Sequence, residues 1–186
     1  MNHKKGGLFF FRPSGYDGYL SNFYPTVFSI DKIEFTCSEQ AFMYHKCKYF
    51  DENNDTLLSE ILHETNPNKI KKLGRSVRNF DDAKWNQVKY DVMLKCVRNK
   101  FIQNHNIKEK LLETHPKQLY EASPWDKIWG IGYDKETAIR KDPNRYGQNL
   151  LGKVLMEIRD ELAKKKIDSY KQLIVVINIE PHEKRI

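Results

Sequence analysis

The stretch SEQAFMYHK, Ser38–Lys46, sets the reading of the whole chain. Glu39, Phe42, Met43 and Lys46 stand at i, i+3, i+4 and i+7, the spacing of one helical face. Ser38 is a good N-cap residue. Glu39 then falls in the first turn, where the helix dipole favours negative charge. A helix here puts a carboxylate and an amine on one side, about 10 Å apart along the axis. That is too far for a direct pair, which needs a spacing of three or four residues. It suits two groups that reach over an apolar floor toward a small ligand. Taken alone, the local pattern favours a core-facing helix whose ends carry solvated charges.

Composition narrows the class. The chain has 186 residues, 31% of them charged, with ten Tyr and ten Phe. That is enough for one domain with a substantial core, and too aromatic for a disordered chain. No apolar run approaches the roughly 18 residues of a membrane helix. The apolar patch Leu8–Phe11 that follows the basic start is too short for a signal-peptide core. The three cysteines, Cys37, Cys47 and Cys96, show no CxxC spacing. A disulfide framework and a zinc site are therefore not expected, and reduced thiols in a cytosolic or nuclear setting are. The histidines show no paired metal spacing. The net charge of +7 fits an anionic ligand such as a nucleotide, or nucleic acid. A lysine-rich surface would give the same number.

Away from Ser38–Lys46 the chain divides in two. Residues 8–35 read as short strands and turns: a strand at 8–12, then a hairpin of 27–30 and 33–35 across Asp31-Lys32. That turn lacks the Asn-Gly chemistry of a tight two-residue loop. From Ser38 onward the pattern is mostly helical, with helices expected at 38–49, 56–65, 67–73, 82–103, 107–114 and 148–165. A short strand at 119–122 interrupts them. The expected fold is α+β and predominantly helical, with several helices around a small, mainly antiparallel sheet. Residues 1–165 form a single domain. Residues 166–186 are a C-terminal extension whose β-prone 173–179 reads as an edge strand, a strand that pairs with a partner chain, or a peripheral piece.

Four further segments could carry chemistry. SPWDKIWGIGY, Ser123–Tyr133, sets Asp126 between two tryptophans that could stack a base or ribose. An aspartate among aromatics is partly desolvated, which raises its pKa. YLSNFYP, Tyr19–Pro25, offers Ser21 and Asn22. KLGRSVR, Lys71–Arg78, offers Gly74 and a phosphate-clamping Arg75. YGQNLLGKVLMEIR, Tyr146–Arg159, opens a helix N-terminus, a ready anion site, at Gln148 and Asn149. Each also fits a plain structural role: a core turn for Trp125 and Trp129, and a helix cap for Asp126.

Taken in order with SEQAFMYHK and WNQVKYDVMLKCVRNKF (Trp85–Phe101), these blocks resemble the NADAR family, the YbiA-like N-glycosidases. The resemblance runs from about Leu8 to Leu162. Many members have histidine where this chain has Gln40, and QA where it has Met43-Tyr44. The resemblance implies catalytic roles for Glu39, Lys46 and Asp126. It implies substrate-binding roles for Arg12, Ser21, Asn22, Trp85, Trp129, Gly74, Arg75 and Asn149. It implies a substrate in which ribose C1 is bonded to an exocyclic amine. The early phosphoribosylamino-pyrimidine intermediates of riboflavin biosynthesis and ADP-ribosylated guanine, in DNA or a nucleotide, both qualify. No metal, cofactor or membrane is implied.

Two routes suit such a bond. In one, a general acid opens the sugar ring, and neutral Lys46 attacks C1 and holds the sugar as a Schiff base. In the other, Glu39 activates water for direct displacement. The readings from other classes are a non-catalytic ADP-ribose-binding module and a structural nucleic-acid binder with steep salt dependence.

Overall fold

The computed structural model describes residues 7–179. In chain order it contains β1 (Gly7–Phe10), β2 (Phe28–Ile30), β3 (Ile33–Phe35), α1 (Ser38–Phe50), α2 (Asp55–His63), α3 (Pro67–Arg75), α4 (Asp82–Gln103), α5 (His105–Glu113), β4 (Gln118–Glu121), α6 (Lys135–Ile139) and α7 (Leu150–Ile179). The fold is α+β and dominated by helix, as expected. The strands differ from expectation. They form two separate pairs, β2–β3 antiparallel and β1–β4 parallel. No hairpin links β1 to β4, and the helices between them return the chain in the same direction.

The β2–β3 turn forms without glycine. Asp31 and Lys32 both take positive φ, 52° and 68°, which a two-residue hairpin of this twist requires. Lys95 Nζ holds the Asp31 carboxylate at 2.8 Å from α4.

Helix α1 starts where expected, but Ser38 does not cap it. The cap position is Cys37, without a side-chain bond. The second helical N–H, that of Glu39, instead donates to the Asn22 carbonyl at 3.1 Å. Gln40 completes the start: its Oε1 accepts from Thr36 N and Thr36 Oγ1. Its Nε2 donates to the Ile61, Leu62 and Glu64 carbonyls. One buried amide thus ties the start of α1 to the end of α2, satisfying carbonyls that a helix C-terminus leaves open.

The core lies between α1, α4, α5, α7 and the strand pairs. Phe35, Ala41, Cys47, Met93, Cys96, Phe101, Leu119, Leu151, Val154 and Ile158 are all sealed in it. All three cysteines are buried free thiols. Residues 173–179 extend α7 rather than forming a strand. Adding residues to an existing helix needs no new nucleus, whereas a lone strand needs a partner. Residues 180–186 lie outside the described part. Among the described residues no helix is long and apolar enough to cross a membrane.

Candidate active site

One face of α1 forms the floor of a cleft of about 530 Å³. Glu39, Phe42 and Met43 line it, joined by Asn68, Lys71 and Arg75 from α3. Ser21, Asn22 and Phe23 come from the loop after the first turns, and Glu121 from the end of β4. Ser123, Trp125, Asp126 and Trp129 come from the loop that follows. Segments distant in sequence therefore meet around Glu39.

Carboxyl groups dominate the chemistry. Glu39 is buried, and burial pushes its pKa up to about 7; Asp126 adds to the rise, while Lys71, Arg75 and Lys46 oppose it. Glu121 is pushed up to about 8, first by burial and then by Asp126 and Glu39, with Lys71 opposing. Its Oε2 is sealed from solvent with no hydrogen-bond partner. Two carboxyls that keep protons near neutral pH therefore face one cleft, which is the arrangement acid–base chemistry needs.

Asp126, expected as a catalytic acid, lines the cleft and also has a structural job. Its Oδ1 accepts from the N–H groups of Ile128 and Trp129, both at 2.8 Å. It caps its own loop and contributes negative charge to both glutamates. The loop is fastened again from behind. The N–H groups of Gln148, Asn149, Leu150 and Leu151 donate to the carbonyls of Lys127, Gly130, Ile128 and Trp129. The α7 N-terminus is therefore spent on this loop and is no anion site.

Asn149, expected to touch substrate, lies behind the cleft. It is buried with φ 53°. Its Oδ1 accepts from Glu121 N at 3.0 Å, and its Nδ2 donates to Leu119 O at 2.8 Å. It fixes the strand that carries Glu121.

Lys46 is not among the cleft-lining side chains. Its Nζ donates to Gly74 O at 2.8 Å and sits 4.1 Å from the centre of the Phe80 ring. Burial and the neighbouring Arg75 lower its pKa, and Glu39 opposes them. Gly74 is also a packing residue: a Cβ there would fall 1.9 Å from Met43 Sδ. Trp85 backs the floor from outside, its ring 5.2 Å from that of Phe42. Arg12 is exposed and does not line the cleft, whereas its neighbour Phe11 does. Trp129 lines the cleft as expected, edge-on to Phe42 at 5.2 Å.

Ser21, Asn22 and Arg75 also line it as expected. The Ser21–Asn22 loop is held by Lys100, 1% exposed, whose Nζ donates to Ser21 O at 2.9 Å. Burial pushes this amine down to about 7. Asn22 Nδ2 reaches Met93 Sδ at 3.2 Å, and its Oδ1 is buried without a partner.

Reading the sequence missed Glu121 and Lys71 as site residues. Both had a signal. Lys71 precedes Arg75 by four residues, one helical face. Glu121 stands five residues before Asp126, just ahead of the suspect block that opens at Ser123. Among the described residues no group of three or more His, Cys, Asp or Glu side chains is arranged to hold a metal ion.

Comparison with known proteins gives a consistent result. A family model described as the NADAR domain matches residues 9–163. The chain is similar to "Protein irg-1" of Caenorhabditis elegans, 40% identical over 160 residues, covering 77% of this chain and 74% of that one. It is similar to "N-glycosidase R617" of Acanthamoeba polyphaga mimivirus, 43% identical over 129 residues, covering 69% and 75%. In structure it resembles the E. coli protein YbiA solved by NMR, with a TM-score of 0.71, 29% identity, and 87% and 88% of the two chains covered.

Proposed function

Because the chain belongs to the NADAR domain family, we propose that it is an N-glycosidase that hydrolyses the bond between ribose C1 and an exocyclic amine. The observation that carries this reading is the pair Glu39 and Glu121, two carboxyls with raised pKa values in one cleft. Lys71 and Arg75 on the α3 wall supply the positive charge that a phosphate on the ribose needs. The substrate is a phosphoribosylamino-pyrimidine of the riboflavin route or ADP-ribosylated guanine, which share this bond and this charge.

In the direct route the C1–N bond breaks and the amine leaves with a proton. With Glu39 left to activate water, Glu121, whose proton burial retains, is the acid. Water adds its oxygen to C1 and gives a proton to ionised Glu39. Asp126 raises both pKa values and keeps the acid loaded. The position of Lys46 supports this route, since its amine is turned to Gly74 O.

One observation supports the imine route. The Lys46 amine is lowered by burial and by Arg75, and its hydrogen bond goes to an uncharged carbonyl. Such an amine has a larger neutral fraction, which is what attack on an opened sugar needs. Borohydride trapping decides between the routes: a substrate-dependent adduct on Lys46 selects the imine, and near-normal turnover by Lys46→Ala selects water.

The test of the function is base release from both substrates, with Glu39→Gln as control. Release that falls by roughly 10²-fold or more in the variant supports the reading. Binding of ADP-ribose with no release from either substrate would replace it with a binding module.

A further inference from the structure

Trp125 stands apart from the rest of the cleft. It lines the cavity yet is 84% exposed. Burying an indole is strongly favourable, so a tryptophan left in water is unusual for its size. Slack chain does not explain it. The next residue, Asp126, fastens the loop through two N–H bonds, and the start of α7 fastens it through four more. A pinned loop therefore holds the indole out.

Phe11 faces it across the lip of the cleft. The ring centres are 6.3 Å apart and the planes are inclined by 55°. The rings are tilted, not stacked, so neither covers the other's face. The second tryptophan of this loop differs. Trp129 is partly buried and packs edge-on against Phe42 in the floor. The same cleft is lined by the cations Lys71 and Arg75 and the carboxyls Glu39 and Glu121, of which Glu39 is buried and Arg75 exposed.

We propose that Trp125 and Phe11 form a stacking subsite for a nucleobase at the mouth of the cleft. The ligand's phosphate lies along Lys71 and Arg75, and its reacting ribose reaches the two glutamates. The placement of the ribose rests on the glycosidase reading; the stacking does not. The shared chemistry is a planar ring beside an anion, and two sources offer it. One is the base that leaves from C1. The other is a second base at the far end of a diphosphate. An exposed aromatic pair, two cations and a buried carboxyl lining one cleft match the base, phosphate and ribose of a nucleoside diphosphate ribose, which favours the remote base.

Calorimetric titration of the full chain tests this. Three probes are used: ADP-ribose, ribose 5-phosphate, and a phosphoribosylamino-pyrimidine added to the Glu39→Gln protein. Trp125→Ala should weaken ADP-ribose by about tenfold, within the range of an aromatic–base stack. It should leave ribose 5-phosphate within about twofold, and Trp125→Phe should recover most of the loss, because it restores a ring face. A loss confined to the pyrimidine probe also supports the subsite and assigns it to the departing base. Equal loss with ribose 5-phosphate, or no loss with either base-bearing probe, overturns the proposal. These are binding measurements, so they stay separate from base release. A protein that stacks the base but cleaves nothing would keep the subsite and lose the glycosidase.

Discussion

Replacing Glu39 with glutamine should make the protein more stable and less active at the same time. The folded-state pKa of Glu39 stands at about 7, against an ordinary value of 4.5. Between those values the folded protein keeps a proton that the unfolded chain has released. Stability therefore falls as pH rises through that window, and above pH 7 the full penalty applies. Each unit is worth about 1.4 kcal/mol, so the rise corresponds to about 3 kcal/mol. Burial drives the shift and outweighs the attraction of Lys71, Arg75 and Lys46, so removing the charge is a net gain. Glutamine is neutral at every pH and carries no such penalty. Denaturant unfolding at pH 4 and pH 8.5, wild type against Glu39→Gln, reads the effect directly. The difference between the two pH values cancels any packing change and should approach about 3 kcal/mol in favour of the variant at high pH. For a chain of this length that is roughly 6–12 °C in Tm. Base release should fall by roughly 10²-fold or more. A variant no more stable at pH 8.5 than at pH 4, relative to wild type, would refute the reasoning, because the carboxyl would then not be held against its solvation.

Other parts of the site make separate claims. Lys71→Ala combined with Arg75→Ala should weaken a phosphate-bearing ribose at least tenfold, on the order of a lost charge-assisted contact, and flatten its salt dependence; affinity for an uncharged riboside, read by the same titration, should hold. Gly74→Ala should destabilise by about 1–3 kcal/mol in denaturant unfolding, because its Cβ would strike Met43. It should also lower turnover, since α3 carries Lys71 and Arg75. Asn149→Ala should cost about 2–4 kcal/mol, since it strands the Glu121 N–H and the Leu119 carbonyl. Asn149→Gly, which accepts the positive φ but restores neither bond, should recover only a small part.

The helical part of the fold was legible because its signals are local. Periodicity and caps put α1, α3 and α4 within two residues of their observed ends. The sheet was less so, since the parallel pairing of β1 with β4 is written in no neighbouring residues. It follows from how the intervening helices pack. The short α6 went unread for a related reason: five residues carry little periodicity.

The site divides along the same physical line. A face of a helix can be read from spacing, which groups Glu39 with Phe42 and Met43, whereas Arg75 follows from the family resemblance; all four line the cleft. Spacing says which face a residue shares, but not how far the facing wall extends. Lys46 shares the face of Glu39, yet α3 covers it, because Gly74 lets that helix approach Met43 closely enough for its carbonyl to take the amine. Trp85 is a substrate-binding residue by the family resemblance, yet it is absent from the cleft lining and packs behind Phe42, which lines it. Glu121 gained its place from a side chain far along the chain, the hydrogen bonds of the Asn149 amide to β4. The amide read as a ligand for substrate is a clamp on the strand that delivers the second carboxyl. The two glutamates are thus set by different means: burial and Asp126 raise Glu39, while Asn149 fixes the strand whose end carries Glu121.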